Sequence, residues 1–372
     1  MTVRSSDDLD RETTPFYNLT ITVSDISGKQ TTARLNITVL DMNDNAPIFS
    51  NSTYKATIVE NQPPITVVSV IATDADQGSN KDLTYRIMDG NIGDVFTIDS
   101  LTGRISSLKS LDREEHDSYV LKVVAEDKGI PSLQSQTRVE IDVVDQNDNS
   151  PQFVKVAHTF SVYENSGAMT NLGLIDATDL DSGENGRISY SIETSSSSDL
   201  FIVNMTTGEL TLKDSLDYES TKNLTVKIWA KDSGVPSRNS SAVVTINVLD
   251  INDNPPEIDG ANLNVVVNES TSTSILLTVR ASDKDSGSNS RLSYVLLKEK
   301  SLPFSLNKTS GELSLVGSLD REYIDQYSLH VVVSDHGSPS LKGSAIFLVN
   351  VSDANDNPPK FLMNHYEGMC ST

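Results

Sequence analysis

The sequence predicts an all-β chain built of tandem sandwiches, and three observations carry that reading. A five-residue acidic motif occurs four times at nearly constant spacing. The segments between copies alternate apolar and polar residues, as half-buried strands do. No segment shows the apolar stripe of an amphipathic helix.

The motif is Asp41-Met-Asn-Asp-Asn45, recurring as Asp145-Gln-Asn-Asp-Asn149, Asp250-Ile-Asn-Asp-Asn254 and Asp353-Ala-Asn-Asp-Asn357. Successive copies lie 104, 105 and 103 residues apart. Each is followed at the same offset by proline (Pro47, Pro151, Pro256, Pro359) and two residues later by Phe49, Phe153, Ile258 or Phe361. Other landmarks keep the phase. Glu60, Glu164 and Glu269 come early. Asp74-Ala-Asp76, Asp179-Leu-Asp181 and Asp283-Lys-Asp285 follow, then Asp112-Arg-Glu114, Asp217-Tyr-Glu219 and Asp320-Arg-Glu322. Asp127, Asp232 and Asp335 come late, each two residues before a glycine.

Strands are expected in the first full repeat near 54–59, 66–73, 83–88, 95–99, 104–108, 118–126 and 136–144. Thr137, Val139, Ile141 and Val143 give the clearest alternation. Thr102-Gly103, Thr207-Gly208 and Ser310-Gly311 mark a shared turn. About seven short strands per 100 residues indicate an antiparallel, immunoglobulin-like Greek-key sandwich. The expected domains are 46–149, 150–254 and 255–357. Residues 1–45 supply the last two strands of a further repeat, and 358–372 form a tail or the start of the next. In 1–45, Tyr17, Leu19, Ile21 and Val23 face Leu35, Ile37 and Val39 in a hairpin, which alone is marginal in water. Trp229, the one tryptophan, falls in a late strand and is expected in the core.

Composition narrows the function. The formal charge is −23, from 52 acidic and 29 basic residues. Such a chain does not suit nucleic acid as a partner. Disorder would explain the acidity, but apolar runs such as Val331-Val332-Val333 argue for folded β structure. The single cysteine, Cys370, allows no internal disulfide. No run approaches the roughly 20 apolar residues of a membrane span, and the N-terminus lacks a signal-peptide core. Nine N-glycosylation sequons, at Asn18, Asn36, Asn51, Asn204, Asn223, Asn239, Asn268, Asn307 and Asn350, nevertheless favour a secretory history. An internal piece of a larger membrane protein reconciles these signs.

The periodic acids converge on the repeat junctions. One junction gathers Glu60, Asp112, Glu114, Asp145 and Asp148 with Asp179, Asp181 and Asp232 of the next repeat. Another gathers Glu164, Asp217, Glu219, Asp250, Asp253, Asp283, Asp285 and Asp335. The first gathers Asp10, Glu12, Asp41, Asp44, Asp74, Asp76 and Asp127, without an early glutamate. The last gathers Glu269, Asp320, Glu322, Asp353 and Asp356 alone. Calcium takes six to eight oxygens from carboxylates, carbonyls and water, and this chemistry suits it. Unit charges roughly 4 Å apart cost about 4 kcal/mol at an effective dielectric near 20, so clustered carboxylates without cations repel. Cations are therefore expected to order each linker. The second motif position varies (Met42, Gln146, Ile251, Ala354) and can offer only its carbonyl.

These motifs together resemble the extracellular repeats of the cadherin family across essentially the whole chain. The Gly129-Ile-Pro-Ser and Gly234-Val-Pro-Ser turns are more similar to the protocadherin, Fat and Dachsous kinds than to cadherins that adhere by an exchanged tryptophan. The resemblance implies about three calcium ions at each complete junction. It implies an outer ion on Glu60, Asp112, Glu114 and Asp148. It implies a middle ion on Glu60, Glu114, Asp145, Asp148 and Asp181 with the Gln146 carbonyl. It implies a third on Asn147, Asp179, Asp181 and Asp232 with the carbonyls of Asn149 and Asn185. Asn43, Asn45 and Asn80 in the first junction, and Ile251, Asn252, Asn254 and Asn289 in the third, hold matching positions. At the incomplete first junction two ions are expected to bind weakly, and at the last the third ion has no site.

An EF-hand is the nearest rival, but its twelfth loop position would be Tyr85, Tyr190 or Tyr294 rather than glutamate, each in a strand pattern. An enzyme using paired carboxylates such as Asp112 and Glu114 is set aside, because the pairs recur in every repeat and the five histidines share no phase. The resemblance implies calcium-dependent, homophilic cell–cell adhesion with another cadherin ectodomain at the outer face of the plasma membrane. The chain would reach the membrane only through the rest of its parent and would carry N-glycans. The alternative is a rigid spacer in a large cadherin that binds a different partner elsewhere.

Overall fold

The computed structural model describes residues 3–260, 264–297, 303–363, 365, 367 and 368. Cys370 lies outside them. No described helix is long and apolar enough to cross a membrane. The described residues hold strands and three short 3₁₀ turns, and the Tyr85, Tyr190 and Tyr294 positions lie in strands.

The first full repeat contains a four-stranded sheet in the order Thr53–Val59, Gln134–Val144, Ser118–Glu126, Thr84–Asp89, and a three-stranded sheet in the order Thr66–Ser69, Arg104–Ser107, Phe96–Ile98. The same two orders recur in the next two repeats. The cause is visible in the alternation. Leu121, Val123 and Ala125 are wholly buried and stand beside Val139 and Ile141, while intervening residues such as Val120 and Asp142 face outward. The core of this repeat joins these to Ile105, Phe96 and Tyr119, the two rings meeting edge-on at 5.1 Å. In the third repeat Phe304 and Tyr327 repeat that pair at 5.2 Å, among Leu313, Leu329 and Phe347.

Three details differ from the sequence expectation. In each four-stranded sheet the first strand in sequence runs parallel to the last, as with Thr53–Val59 beside Gln134–Val144, so the sandwich is not wholly antiparallel. The segment expected as one strand over 66–73 breaks at the wholly buried Val70. Its second part, Ala72–Thr73, pairs with Ile48–Phe49. Trp229 is half-buried on the outer face of its strand rather than in the core, because Leu224, Val226, Ile228 and Ala230 hold the inward phase. The Lys227 ammonium lies 4.2 Å from its ring centroid.

The Thr-Gly turns are real and need glycine. Gly103, Gly208 and Gly311 have φ of 68°, 75° and 69°, and an added Cβ would lie 2.3–2.4 Å from a backbone oxygen. The N-terminal strands Phe16–Ser24 and Gln30–Thr38 form the expected hairpin, with Tyr17 opposite Ile37 and Leu19 opposite Leu35.

The backbone groups into two compact units. One comprises the described residues of Met1–Val154, Ala177–Ser189 and Ala230–Ser240; the other those of Lys155–Asp176, Tyr190–Trp229 and Ser241–Thr372. Each acidic junction lies inside a single unit. The loops carrying Asp179–Asp181 and Asp232 belong with the linker at 145–149, and those carrying Asp283–Asp285 and Asp335 with the linker at 250–254.

Candidate metal centres

Every junction but the first is built outward from a buried glutamate. Glu60 is fully buried, and its two carboxylate oxygens accept the backbone N–H of Gln146 at 2.7 Å and of Arg113 at 2.8 Å. Glu164 does the same for Ile251 and Tyr218, and Glu269 for Ala354 and Arg321. The end of the early strand, the acidic tripeptide and the linker motif are thereby tied to one side chain. This accounts for the variable second motif position: its backbone is used and its side chain is not.

The third motif residue ties the linker to the following repeat. Asn147 Nδ2 donates to the Pro236 carbonyl at 2.6 Å and to Asp232 Oδ1 at 3.3 Å. Asn43 uses Pro131 and Asp127, and Asn252 uses Pro339 and Asp335. Each of those prolines follows a cis peptide bond. Asp232 in turn accepts the amides of Gly234 and Arg238. Asn149 donates from its backbone and side chain to Asp181, and Asn185 Nδ2 donates to Asp145 Oδ2 at 2.7 Å. Asn45 with Asp76, Asn80 with Asp41, Asn254 with Asp285 and Asn289 with Asp250 repeat these bonds.

With the donors so spent, particular oxygens remain bare. Asp74, Asp179 and Asp283 each keep a buried Oδ2 without a hydrogen-bond partner. Asn43, Asn147 and Asn252 each keep a buried Oδ1, and Glu219 an Oε1. Buried acceptors without donors are costly and rare. Here the same two positions repeat at three junctions. Carboxylate oxygens also converge to within 4.8 Å of one another in the sets Glu12, Asp44, Asp76; Glu60, Glu114, Asp148; Glu114, Asp145, Asp181; Glu164, Asp217, Glu219; and Glu219, Asp250, Asp285. A donor set of bare carboxylate and amide oxygens fits a hard divalent cation.

Comparison with known proteins bears on what this arrangement is. The cadherin domain model matches residues 54–144, 158–249 and 263–352, three matches in phase with the junctions. The chain belongs to the cadherin family. Among its relatives, protocadherin Fat 4 of Mus musculus is 40% identical over 368 residues, covering 96% of this chain and 7% of the relative. The human cadherin EGF LAG seven-pass G-type receptor 2 is 38% identical over 375 residues, covering 98% and 13%. The chain therefore spans a small fraction of these relatives. Among solved structures, protocadherin gammaB7 repeats 3–6, described as a cis-dimer, align with a TM-score of 0.80 at 28% identity, over 92% of this chain and 86% of that one. Mouse cadherin-23 repeats 22–24 align at 0.71 and 31%, over 84% and 100%. The expected cadherin resemblance and fold class are borne out, including the protocadherin and Fat kinds. Cadherin domains generally bind calcium.

The electrostatics of these cadherin repeats are those of acids held together. Glu114 is pushed up to about 7, first by burial and then by the Glu60 charge. Glu219 is also pushed up to about 7, first by burial, with Glu164 and Asp253 adding to it. Burial also raises Asp74, Asp179 and Asp283, each with the neighbouring aspartate charge contributing. Asp145 goes the other way. Burial opposes its charge, but bonds from Asn185, Ser182 and Arg113 prevail and hold it below the usual range.

At the last junction Glu269 keeps both amides, but Asp320, Glu322, Asp353 and Asp356 are exposed. Sequence reasoning overlooked several participants. Asn61 and Asn165, at φ of 58° and 55°, donate to Asp148 and Asp253. The recurring Glu-Asn pair at 60–61 and 164–165 was a usable signal. Arg238 Nε donates to the Asn147 carbonyl at 2.9 Å, and Arg11 and Arg113 enter their junctions.

Proposed function

We propose that this chain is a calcium-stiffened segment of a cell-surface adhesion protein, with repeats at 46–149, 150–254 and 255–357 and part of another at 1–45. The observation that carries the reading is the threefold recurrence of bare buried oxygens on Asp74, Asp179 and Asp283 and on Asn43, Asn147 and Asn252. Calcium, when bound, supplies the positive charge and the oxygen-hungry coordination shell these groups need. About three ions are proposed at each of the two junctions around 145–149 and 250–254, with two held weakly at the first junction and no site for the third at the last. Glu60, Glu114, Asp145, Asp148 and Asp181 would hold the outer and middle ions, joined by Asp112. Asn147, Asp179, Asp181 and Asp232, with the Asn149 and Asn185 carbonyls, would hold the third.

The chain's own residues do the positioning. Glu60 fixes the linker to the acidic tripeptide, and Asn147 fixes it to the Pro236 loop, so the oxygens are nearly preassembled and little ordering is needed on binding. The proposed setting is the outer face of the plasma membrane. The proposed partner is another cadherin ectodomain, bound homophilically, and the sequons are proposed to carry N-glycans. The spacer reading places the adhesive face elsewhere in the parent, toward a different partner, and bead aggregation with and without calcium separates the two.

Calcium titration by calorimetry on the whole chain tests the central reading. Uptake is expected in the micromolar to millimolar range, with Asp253→Ala losing ions at the 250–254 junction and small-angle scattering reporting a stiffer particle in calcium. No uptake at millimolar calcium, or equal shapes in calcium and chelator, would refute it.

A further inference from the structure

The residue between the aspartate and glutamate of the acidic tripeptide is Arg11, Arg113, Tyr218 and Arg321 at the four successive junctions. Its geometry is not the same in each. The Arg113 guanidinium reaches three groups at once. Nε lies 2.5 Å from Asp145 Oδ1, and Nη2 donates to Glu114 Oε1 and, at 2.8 Å, to the backbone carbonyl of Leu180. Leu180 is the middle residue of Asp179-Leu-Asp181, which belongs to the following sequence repeat. One side chain therefore joins the tripeptide, the linker and the next repeat's backbone.

Arg11 repeats the arrangement. It pairs with Glu12, lies 2.5 Å from Asp41 Oδ1 as an ion pair without a hydrogen-bonding angle, and donates to the Ala75 carbonyl at 2.9 Å. Ala75 is the counterpart of Leu180. Arg321 has no such carbonyl within reach among the described residues. It lies 3.3 Å from Asp353 and its side chain is 41% exposed, against 9% for Arg11 and 17% for Arg113. At the junction around 250–254, Tyr218 offers no charge. Its ring sits beneath Lys222 Nζ, 5.0 Å from the centroid, while Asp250, Asp285 and Glu219 converge without a guanidinium among the described residues.

We propose that Arg113 and Arg11 are built-in cationic braces that keep the 145–149 and 41–45 linkers closed when divalent ions are absent, so that the 250–254 linker, with Tyr218, loosens first as calcium is withdrawn. A planar guanidinium that pairs with carboxylates and a carbonyl together fixes orientation as well as charge. The brace goes beyond the calcium reading and rests on it only for the withdrawal of calcium.

Hydrogen exchange of the whole chain, read by mass spectrometry after removal of divalent ions, tests this. Two amides have the same partners in both linkers and carry the comparison: Gln146 and Ile251 N–H donate to Glu60 and Glu164, each at 2.7 Å. Asn149 N–H donates to Asp181 at 3.2 Å and Asn254 N–H to Asp285 at 3.3 Å, so a rate difference reports linker opening. After correction for intrinsic rates, 145–149 is expected to exchange about tenfold more slowly than 250–254. Arg113→Tyr should erase that difference, and Tyr218→Arg should slow 250–254 several-fold. Because Arg238 also reaches the 145–149 linker and Leu341 stands in its place at the other junction, the comparison is made in Arg238→Leu: equal rates there without ions would overturn the brace, and so would a difference that survives adding Arg113→Tyr. Calcium slowing neither linker would sink the calcium reading instead, while a rate difference that depends on Arg113 would still support the brace.

Discussion

Gly234 lies against Asn147 so closely that a Cβ on the glycine would sit 2.3 Å from Asn147 Nδ2. It would also lie 2.8 Å from Asn185 Oδ1. The same approach joins Gly129 to Asn43 and Gly337 to Asn252. The late aspartate with its glycine two residues on is therefore a socket for the linker asparagine. The socket consumes the amide nitrogen and leaves the amide oxygen bare. Gly234→Ala is expected to force Asn147 out of the socket at a cost of about 1–3 kcal/mol. Denaturant unfolding should register the loss, and calcium titration should show the third ion at that junction weakened. Wild-type behaviour in both would mean the socket does not position the asparagine.

Asp283 offers a test whose sign depends on metal. Its Oδ1 accepts the Asp285 amide at 3.0 Å, and its Oδ2 is buried without a partner. Asp283→Asn keeps the accepting oxygen and removes a charge that burial and Asp285 both oppose. In ion-free protein the variant should be more stable than wild type by about 1 kcal/mol. In calcium the order should reverse, with affinity at that junction falling about tenfold. A variant less stable under both conditions would show that the oxygen serves the fold rather than an ion.

The folded chain should also respond to pH in a defined direction when it carries no metal. Glu114 and Glu219 stand near 7 against an ordinary glutamate value of 4.5, both chiefly through burial. The folded state then holds protons that the unfolded state releases between about pH 4.5 and 7. The stabilisation these protons bring is complete below the unfolded value and lost as pH rises through the folded one. The melting temperature of protein dialysed free of divalent ions should therefore be higher at pH 6 than at pH 8. The increment that calcium adds should shrink over the same fall in pH, because protons compete for the oxygens. An ion-free melting temperature higher at pH 8 than at pH 6 would contradict the assigned burial of these two acids.

Much of this was readable from the residues because the period repeats the chemistry. Glu60, Asp145 and Asp181 were identifiable from phase alone, and the structure draws Asp145 and Asp181 to Glu114 and Glu60 to Glu114 and Asp148. The direction of the first strand was not readable, since alternation of period two is the same in parallel and antiparallel neighbours. Trp229 was readable in principle. Leu224, Val226, Ile228 and Ala230 fix the inward phase and leave residue 229 outside, against the expectation drawn from its place in a late strand. Arg113 was harder. The tripeptide's middle residue changes to tyrosine at 218, so the period points away from it. Only the carbonyl of Leu180, distant in sequence, reveals what the guanidinium does.

Glu60 separates the fold's contribution from the metal's. It is fully buried and serves two backbone amides, those of Arg113 and Gln146, while its carboxylate also stands within the set formed with Glu114 and Asp148. Glu60→Ala leaves two N–H groups without their acceptor, each costing about 1–3 kcal/mol if water does not reach it. The loss should appear even in ion-free protein, unlike that of Asp283→Asn. Glu60→Gln presents one oxygen in place of two, so one amide is stranded and roughly half the loss should return. Its calcium deficit should persist, because the charge is gone. Denaturant midpoints for the three proteins, with and without calcium, separate these contributions. If Glu60→Ala were silent in ion-free protein, the glutamate would act through metal alone and the linker would owe its ion-free order to Arg113.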